Sequence, residues 1–518
     1  MAALIAVLCS CAIGAAPAGA YDFNPNNTVK PLGPPVTMFD YSAQSCEEVD
    51  IPDAPARAIN DDGKVSLFAS HYVTRLKTGP SLRTATPTCA VTMGSPYNAD
   101  PSGYADREWV SSPYILPGGK VMALMHEEYQ GSTHPGMCPS ADYFKCWWNA
   151  ITLGVSNDRG ATFQHASPSP TNLVAAAPYR YQADTGPAGV MMPSNIIKFS
   201  SDNMYYVMVA VQGYGAQEAG TCLMRTNDLT DPHSWRAWDG TGFNVSFINP
   251  YVDTTADPAQ HVCEPVSVNE IGMMSSSVHY NLYLNSFVLI GQSGDTFRTR
   301  TEDPGIYWST SPDMIHWTPA RLLMKSELLW THECGDSDPI MHPSLLDPFT
   351  ASPNFEIGGR QMDLFFTQFH WQYDSWHCWM GMDRDLIRIP IEFNRQPICS
   401  TLVAKPAYLP TDRSMSLVTL SGATEPDGES MTMKINSVSQ NQPVTGPGDS
   451  SSPDAMRTSS PNQVLLRAEH GADGGRVYRI NATVTDSKGA LCTSVVKVAV
   501  PRNAVDTSAS YGSFKVSR

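Results

Sequence analysis

Carboxylates and imidazoles collect at one kind of place in this 518-residue chain: next to short apolar segments of strand character. Ahead of such segments stand Asp53, then Asp106, Arg107 and Glu108, then Glu264 and Glu270, then Glu333 and Asp336. After the partner segments stand His71, then His126, Glu127 and Glu128, then Gln212, Gln292 and His370. A dense acidic and imidazole set of this kind suits acid–base work. Two carboxylates flanking a glycosidic bond hydrolyse it when one is protonated and the other ionised, at separations of about 5 to 9 Å. Crowding acids together raises the pKa of one of them, which keeps it protonated near neutral pH. The His126 to Glu128 run lacks a second His four residues on, so it is not a zinc-peptidase motif, and no metal site is predicted.

The elements that must position these residues recur. A Pro or small residue leads into an apolar strand, a turn, and a second strand. Copies begin at Pro55, Pro113, Pro193, Ser276 and Pro343, with turns near Gly63, Gly119, Asn203, Asn285 and Gly359. Each is followed by an outer segment: HYVTRLKTGPSL, ITLGVSNDRGATF, CLMRTNDLTDPHSW, IYWSTSPDMIHW and CWMGMDRDLIRI. A hairpin plus an outer hairpin makes four strands, and five such units make an all-β, five-bladed β-propeller. The alternative is a pair of β-sandwiches with coincidental repeats; helical periodicity is almost absent. In a propeller, residues before the first strand and after the second meet around the axis on one face. That geometry brings the set above to the rim of one pocket. Asp158, Asp228 and Asp313 are expected to form Asx turns between outer strands.

SNDRGATF at residues 156–163 resembles the Asp-box of sialidases, a turn motif that marks fold more than function. RTNDLTDPHSW and STSPDMIHW resemble outer strands of five-bladed glycoside hydrolases, the arabinofuranosidase, xylosidase and invertase-like clans. The resemblance covers residues 47–396. It implies a carboxylate just before a Pro in the first blade, matched loosely by Asp53 in Asp53-Ala-Pro-Ala, as the base. It implies an acid on a later blade, Glu264. Glu333, followed by Cys334, resembles the Glu-Cys pair of the invertase clan but falls in the fifth unit, so the acid stays open between Glu264 and Glu333. Glu108 is a further catalytic candidate and, with Asp106, would tune pKa or hold substrate. Arg57, His71, Asp106, Arg107, His126, Glu127 and His370 are the expected substrate contacts. A sialidase proper fits less well, because the one Arg-Ile-Pro, at Arg388, lies at the end of the propeller. Arg57 and Arg107 leave uronic or sialic substrates open. Trp147, Trp148, Trp371, Trp376 and Trp379 suit either sugar stacking or the core.

Composition sets the remaining bounds. Charged residues make up 16% and net charge is -16, which argues against a nucleic-acid partner. Residues 1–20 read as a signal peptide, although no Lys or Arg precedes the apolar run; 21–46 form an N-terminal extension. No other stretch is long and apolar enough to span a membrane, so the mature chain is expected to be secreted, periplasmic or at the cell surface, and monomeric. Ten cysteines remain after the signal, as a disulfide framework would have. Cys138 and Cys146 could staple one loop, and Cys399 and Cys492 could close the C-terminal part. Sequons stand at Asn26, Asn244 and Asn481. Residues 397–502 alternate with period two and carry Asp-Gly and Ser-Lys-Gly turns, as in an immunoglobulin-like β-sandwich, and 503–518 form a flexible tail. No cofactor is expected; structural calcium in acidic loops is left open, without EF-hand spacing to support it. The functional expectation is a secreted glycoside hydrolase acting on a polysaccharide or glycan. The alternative is a non-catalytic carbohydrate-binding or adhesion propeller.

Overall fold

Some strands of this chain are apolar on both faces rather than alternating. Val121–Gln130 is buried at all ten positions. Such a strand needs cover on both sides, and sheets stacked around an axis supply it. The computed structural model has that architecture. It describes residues 26–199, 201–292, 303–329, 333–374, 377–445, 447, 451–471 and 474–502. The proposed signal peptide and the tail from 503 lie outside the described residues.

Five blades follow one another, the second and third joined by a parallel pairing of Ala188–Met191 with Trp147–Ser156. The first blade runs Arg57–Asp61, Lys64–Phe68, Val73–Gly79, Thr86–Gly94. The second runs Arg107–Ile115, Val121–Gln130, Trp147–Ser156, with Gln164–His165 outermost. The third places Ala188–Met191 and Ile197–Lys198 innermost, then Tyr205–Val211, Gly220–Thr226, Arg236–Trp238. The fourth runs Ser277–Asn281, Ser286–Gln292, Gly305–Ser311, Arg321–Lys325. The fifth runs Ile340–Leu346, Gln361–Tyr373, Cys378–Asn394. Its outer strand comes from the chain's start: Thr28–Pro31 and Val36–Phe39 both pair with Cys378–Asn394. The segment expected to be an extension therefore completes the fifth blade. The five-bladed expectation is met, with the hairpins where the repeat placed them.

The outer turns repeat one device. In the second blade Asp158 accepts from the Thr162 amide at 2.9 Å and hydroxyl at 2.6 Å, and Ser156 Oγ accepts from the Gly160 amide. Asp228 and Asp313 do the same work in the third and fourth blades, accepting from the Thr230 and Ile315 amides. Each side chain substitutes for a backbone turn bond, which explains these aspartates without chemistry.

Beyond the propeller, Val403–Lys405, Met415–Ser421, Gln463–Arg467 and Ala455–Arg457 form one sheet, and Met431–Gln440, Arg476–Asp486 and Leu491–Val500 a second. Val418, Leu466, Tyr478 and Val498 fill the space between them. This β-sandwich is pinned to the fifth blade by Asp427 with Arg395 at 2.7 Å and by Lys488 with Glu392 at 2.7 Å. The ten cysteines form five disulfides: Cys46–Cys89, Cys138–Cys146, Cys222–Cys263, Cys334–Cys378 and Cys399–Cys492. Among the described residues no helix is long and apolar enough to cross a membrane.

The second and third blades meet where Gly189 lies beside Asn149, at a φ of 108°. A Cβ there would stand 2.0 Å from the Asn149 carbonyl oxygen. Gly189→Ala should therefore lower stability by about 2 kcal/mol or more, measured by chemical denaturation, whereas Gly63→Ala, in open space, should lose less.

Candidate functional site

Asp53 enters the first strand of the first blade and His71 leaves the second, so both reach the same end of the axis. His71 Nε2 lies 3.5 Å from Asp53 Oδ2. The fifth blade adds two residues. His342 Nε2 lies 3.6 Å from Asp53 Oδ1, and Arg384 donates from Nη1 to that same oxygen. Burial opposes ionisation of Asp53, but Arg384, followed by His342 and His71, outweighs it and holds the carboxyl well below the usual carboxylate range. Burial drives His71 down to about 4, against the pull of Asp53, so at neutral pH Arg384 carries the countercharge.

The second blade supplies the opposite wall. Antiparallel pairing sets Arg107 across from Glu128 and Trp109 across from His126, on one face. Period-two alternation sends Glu108 and Glu127 to the other face. Burial pushes Glu128 up to about 8; the Asp53 charge adds to this, while a bond from Gln130 Nε2 at 2.7 Å and the charge of Arg107 oppose it. His126 is held down to about 4, chiefly by burial. Its one ring proton is assigned to Nε2, 2.9 Å from Asn149 Oδ1, because the Asn149 amide group faces the Ala188 carbonyl. The unprotonated Nδ1 then faces Glu128 Oε1 at 3.7 Å and gives a carboxylate no support. The side chains of Asp53 and Glu128 keep 21% and 10% of their surface exposed, so solvent reaches both. At this end of the axis one carboxyl is thus held toward its ionised form and another pushed toward its neutral form, with the Asp53 charge felt at Glu128.

Of the residues expected from sequence, Asp53, His71, Arg107 and His126 come together here. The others stand elsewhere. Arg57 is 3% exposed and lies on the axis beneath, donating to the carbonyls of Ala56, Pro193 and Ser276. Glu108 is fully buried inside the second blade, with Thr152 Oγ1 at 3.0 Å and His165 Nε2 at 2.7 Å. Glu127 accepts from the Asp106 amide, and Asp106 accepts from the Gln130 amide and pairs with His134 at 2.9 Å, so both lock the strand end. Glu264 is exposed among the outer strands of the third blade, its amide bonded to the Trp238 carbonyl. Glu333 is exposed in a turn, its amide bonded to Asp336. Trp148 packs in the core, Trp147 stands beside Tyr143, Trp379 is exposed, and Trp376 lies outside the described residues.

His370 belongs to a neighbouring group. It pairs with Asp338 at 2.9 Å and Asp385 at 3.2 Å, and with Asp383 and Asp385 offers ligand atoms within 4.8 Å of one another. Arg384 sits between these two aspartates in sequence and reaches Asp53. This trio could hold a divalent ion; Cys138, Cys146 and Asp184 also cluster, but those cysteines are bonded to each other.

Glu128, His342 and Arg384 belong to this group without having been expected from the sequence as catalytic residues or substrate contacts. The alternation of strands carried a signal for Glu128, since it shares a face with His126.

No protein-family model matches this chain, and no curated protein sequence does. Among solved structures, it is similar to the catalytic domain of a GH62 α-L-arabinofuranosidase from Coprinopsis cinerea, at 11% identity and TM-score 0.37, over 71% of this chain and 97% of that one. It is similar to a xylan β-1,4-xylosidase from Bacillus halodurans, at 7% identity and TM-score 0.36, over 91% and 96%. It is also similar to an N-acetylgalactosamine deacetylase from F. plautii, at 12% identity and TM-score 0.37, over 70% and 95%. Likeness at this level assigns no activity.

A carboxyl with a raised pKa binds a proton in the folded state that the unfolded chain has released. Glu128 therefore contributes stability fully below the ordinary Glu range and loses it as pH rises through about 8. Between those limits the slope should approach 1.4 kcal/mol per pH unit, and Glu128→Gln should flatten it in urea denaturation from pH 5 to 9.

Proposed function

We propose that this protein is a glycoside hydrolase, with Glu128 as the acid and Asp53 as the ionised partner. The observation that carries the reading is that two carboxyl groups, Asp53 and Glu128, stand at one end of the axis in opposed surroundings: Arg384 holds the first ionised, and burial pushes the second toward its neutral form. Pairs whose environments push their pKa values apart are what acid–base cleavage of a glycosidic bond needs. Glu128 gives its proton to the leaving oxygen as the bond breaks. Asp53 faces the developing positive charge of the sugar, through Oδ2, as nucleophile or as base on water. Arg384 holds Oδ1 and keeps Asp53 charged through the cycle. Gln130 and His126 fix the orientation of the acid. This differs from the expectation that the acid comes from Glu264 or Glu333. Supporting Glu128 are its raised pKa and the Asp53 charge that contributes to it.

The five disulfides fit an extracellular setting for such an enzyme, acting on a poly- or oligosaccharide.

The test is a screen of aryl glycosides and polysaccharides with the unmodified protein, Asp53→Asn, Glu128→Gln and Glu264→Gln. Sugar release should fall at least ~100-fold in the first two variants and stay within a few-fold in the third. The rate should decline as pH rises through about 8, because the acid is then deprotonated, and that alkaline limb should vanish in Glu128→Gln. Glycan binding without release from any substrate would favour a carbohydrate-binding propeller instead.

A further inference from the structure

We infer that the recess around Asp53 and Glu128 takes an anionic sugar, a hexuronate, whose carboxylate pairs with the guanidinium of Arg107. This rests on the recess being a carbohydrate site. Arg107 begins the first strand of the second blade and stands directly across from Glu128, on the face that also carries Trp109 and His126. Its guanidinium lies 5.5 Å from the Tyr72 ring and 6.0 Å from that of Tyr97. These rings fix it without meeting its hydrogen bonds. Nε and Nη1 are shielded from solvent and have no hydrogen-bond partner. No ion pair forms to Arg107 among the described residues, whereas Arg384, Arg83 and Arg395 each hold an aspartate.

A half-buried cation with unmet donors is destabilising unless something arrives to accept them. The surroundings do not supply that acceptor. Asp53 is taken by Arg384, and Asp106, the adjacent residue, points to the other face and pairs with His134. Burial pushes Glu128 toward its neutral form and holds His71 and His126 below the ordinary histidine range. With Asp53 and Arg384 cancelling, Arg107 leaves the recess cationic in a chain whose net charge is -16. A planar carboxylate is the natural complement of a guanidinium and binds either edge through two parallel bonds, one from Nη2 and the other from Nε or Nη1, so a single carboxylate meets one of the two unmet donors of Arg107. The chemical class is thus a carboxylated sugar, next to the bond that Glu128 would protonate.

The test is calorimetric titration of full-length Glu128→Gln protein, so that no ligand is consumed. The probes are trigalacturonate, glucuronate-capped xylotriose, their methyl esters, neutral xylotriose and arabinotriose, and a sulfated galactan oligosaccharide. At least one free uronate should bind, and its methyl ester should bind roughly 10- to 100-fold more weakly. Adding Arg107→Gln should weaken the uronate by a similar factor and leave its ester unchanged, and Arg107→Lys should restore part of it. The ester comparison needs no change at Arg107, so it holds even where a variant folds poorly. The inference is overturned if ester and free acid bind alike, if only neutral or only sulfated oligosaccharides bind, or if nothing binds. Uronate binding that depends on Arg107, with no hydrolysis by the unmodified protein, would keep this inference and end the hydrolase reading. Hydrolysis of neutral glycosides that needs Asp53 and Glu128, without uronate binding, would do the reverse.

Discussion

The Asp53–Arg384 pair joins the first blade of the ring to the last. The seam between those two blades is closed by the N-terminal segment, whose Thr28–Pro31 and Val36–Phe39 pair with Cys378–Asn394 before the chain enters the first blade. That seam is also crossed by the Arg384 bond to Asp53, by Thr367 Oγ1 donating to the Pro52 carbonyl at 3.0 Å, and by the Asn60 amide donating to the Pro353 carbonyl at 2.7 Å. The same ion pair that helps close the ring also keeps a carboxylate ionised at the axis. Closure brings Arg384 beside Asp53, and an acid at this position is charged because the first and last blades meet there.

Below that contact the axis is filled by polar groups rather than by a core. Inner strands approach one another edge-on, so their carbonyls and amides need partners that neighbouring blades supply. Arg57 reaches the carbonyls of Ala56, Pro193 and Ser276, Ser112 Oγ donates to the Ser194 carbonyl at 2.5 Å, and Asn195 both donates to the Val278 carbonyl and accepts from its amide. Burial lowers the Arg57 pKa to about 9, yet it remains a cation at neutral pH, met by carbonyl dipoles alone. That arginine is a floor beneath the recess. Its charge was legible in the sequence, but its depth was not, because Arg57 and Asp53 differ by only four positions while the strand runs away from the rim.

The blades were readable because each inner hairpin repeats one pattern of small residue, apolar strand, turn and strand, and because the outer Asp turns recur in register. Asp53 and His71 followed from that pattern, since they lie where a first strand begins and a second ends. Arg384 did not. It comes from a third strand, Cys378–Asn394, whose 17 residues carry it well past the length of an ordinary blade strand. His342 was hidden by an irregular register between Met341 and Ser344 and by its own positive φ of 57°. Glu264 and Glu333 were singled out by their places ahead of strands and by the order of blades in a resembled family, and both stand in exposed segments.

The second blade shows why counting acids misleads. Three carboxylates, Glu108, Glu127 and Glu128, fall within two paired strands with Asp106 just before the first, and a single alternation divides the four. On one face Glu108 is bound by His165 and Thr152, Glu127 by the Asp106 amide, and Asp106 by His134. On the other, Glu128 has a glutamine, the unprotonated nitrogen of a neutral histidine, and an arginine with no ion-pair partner of its own. The first set is largely bonded within the blade, with Asp106 Oδ1 left over, and it rigidifies the hairpin. The second set is left incomplete, and its rigidity is borrowed from the first through the shared backbone. A bulge between Val110 and Ser112 ends the stretch of pairing that places Arg107 opposite Glu128 and Trp109 opposite His126. Adding or deleting one residue on the rim side of that bulge would exchange the two faces, burying the incomplete set and exposing the bonded one.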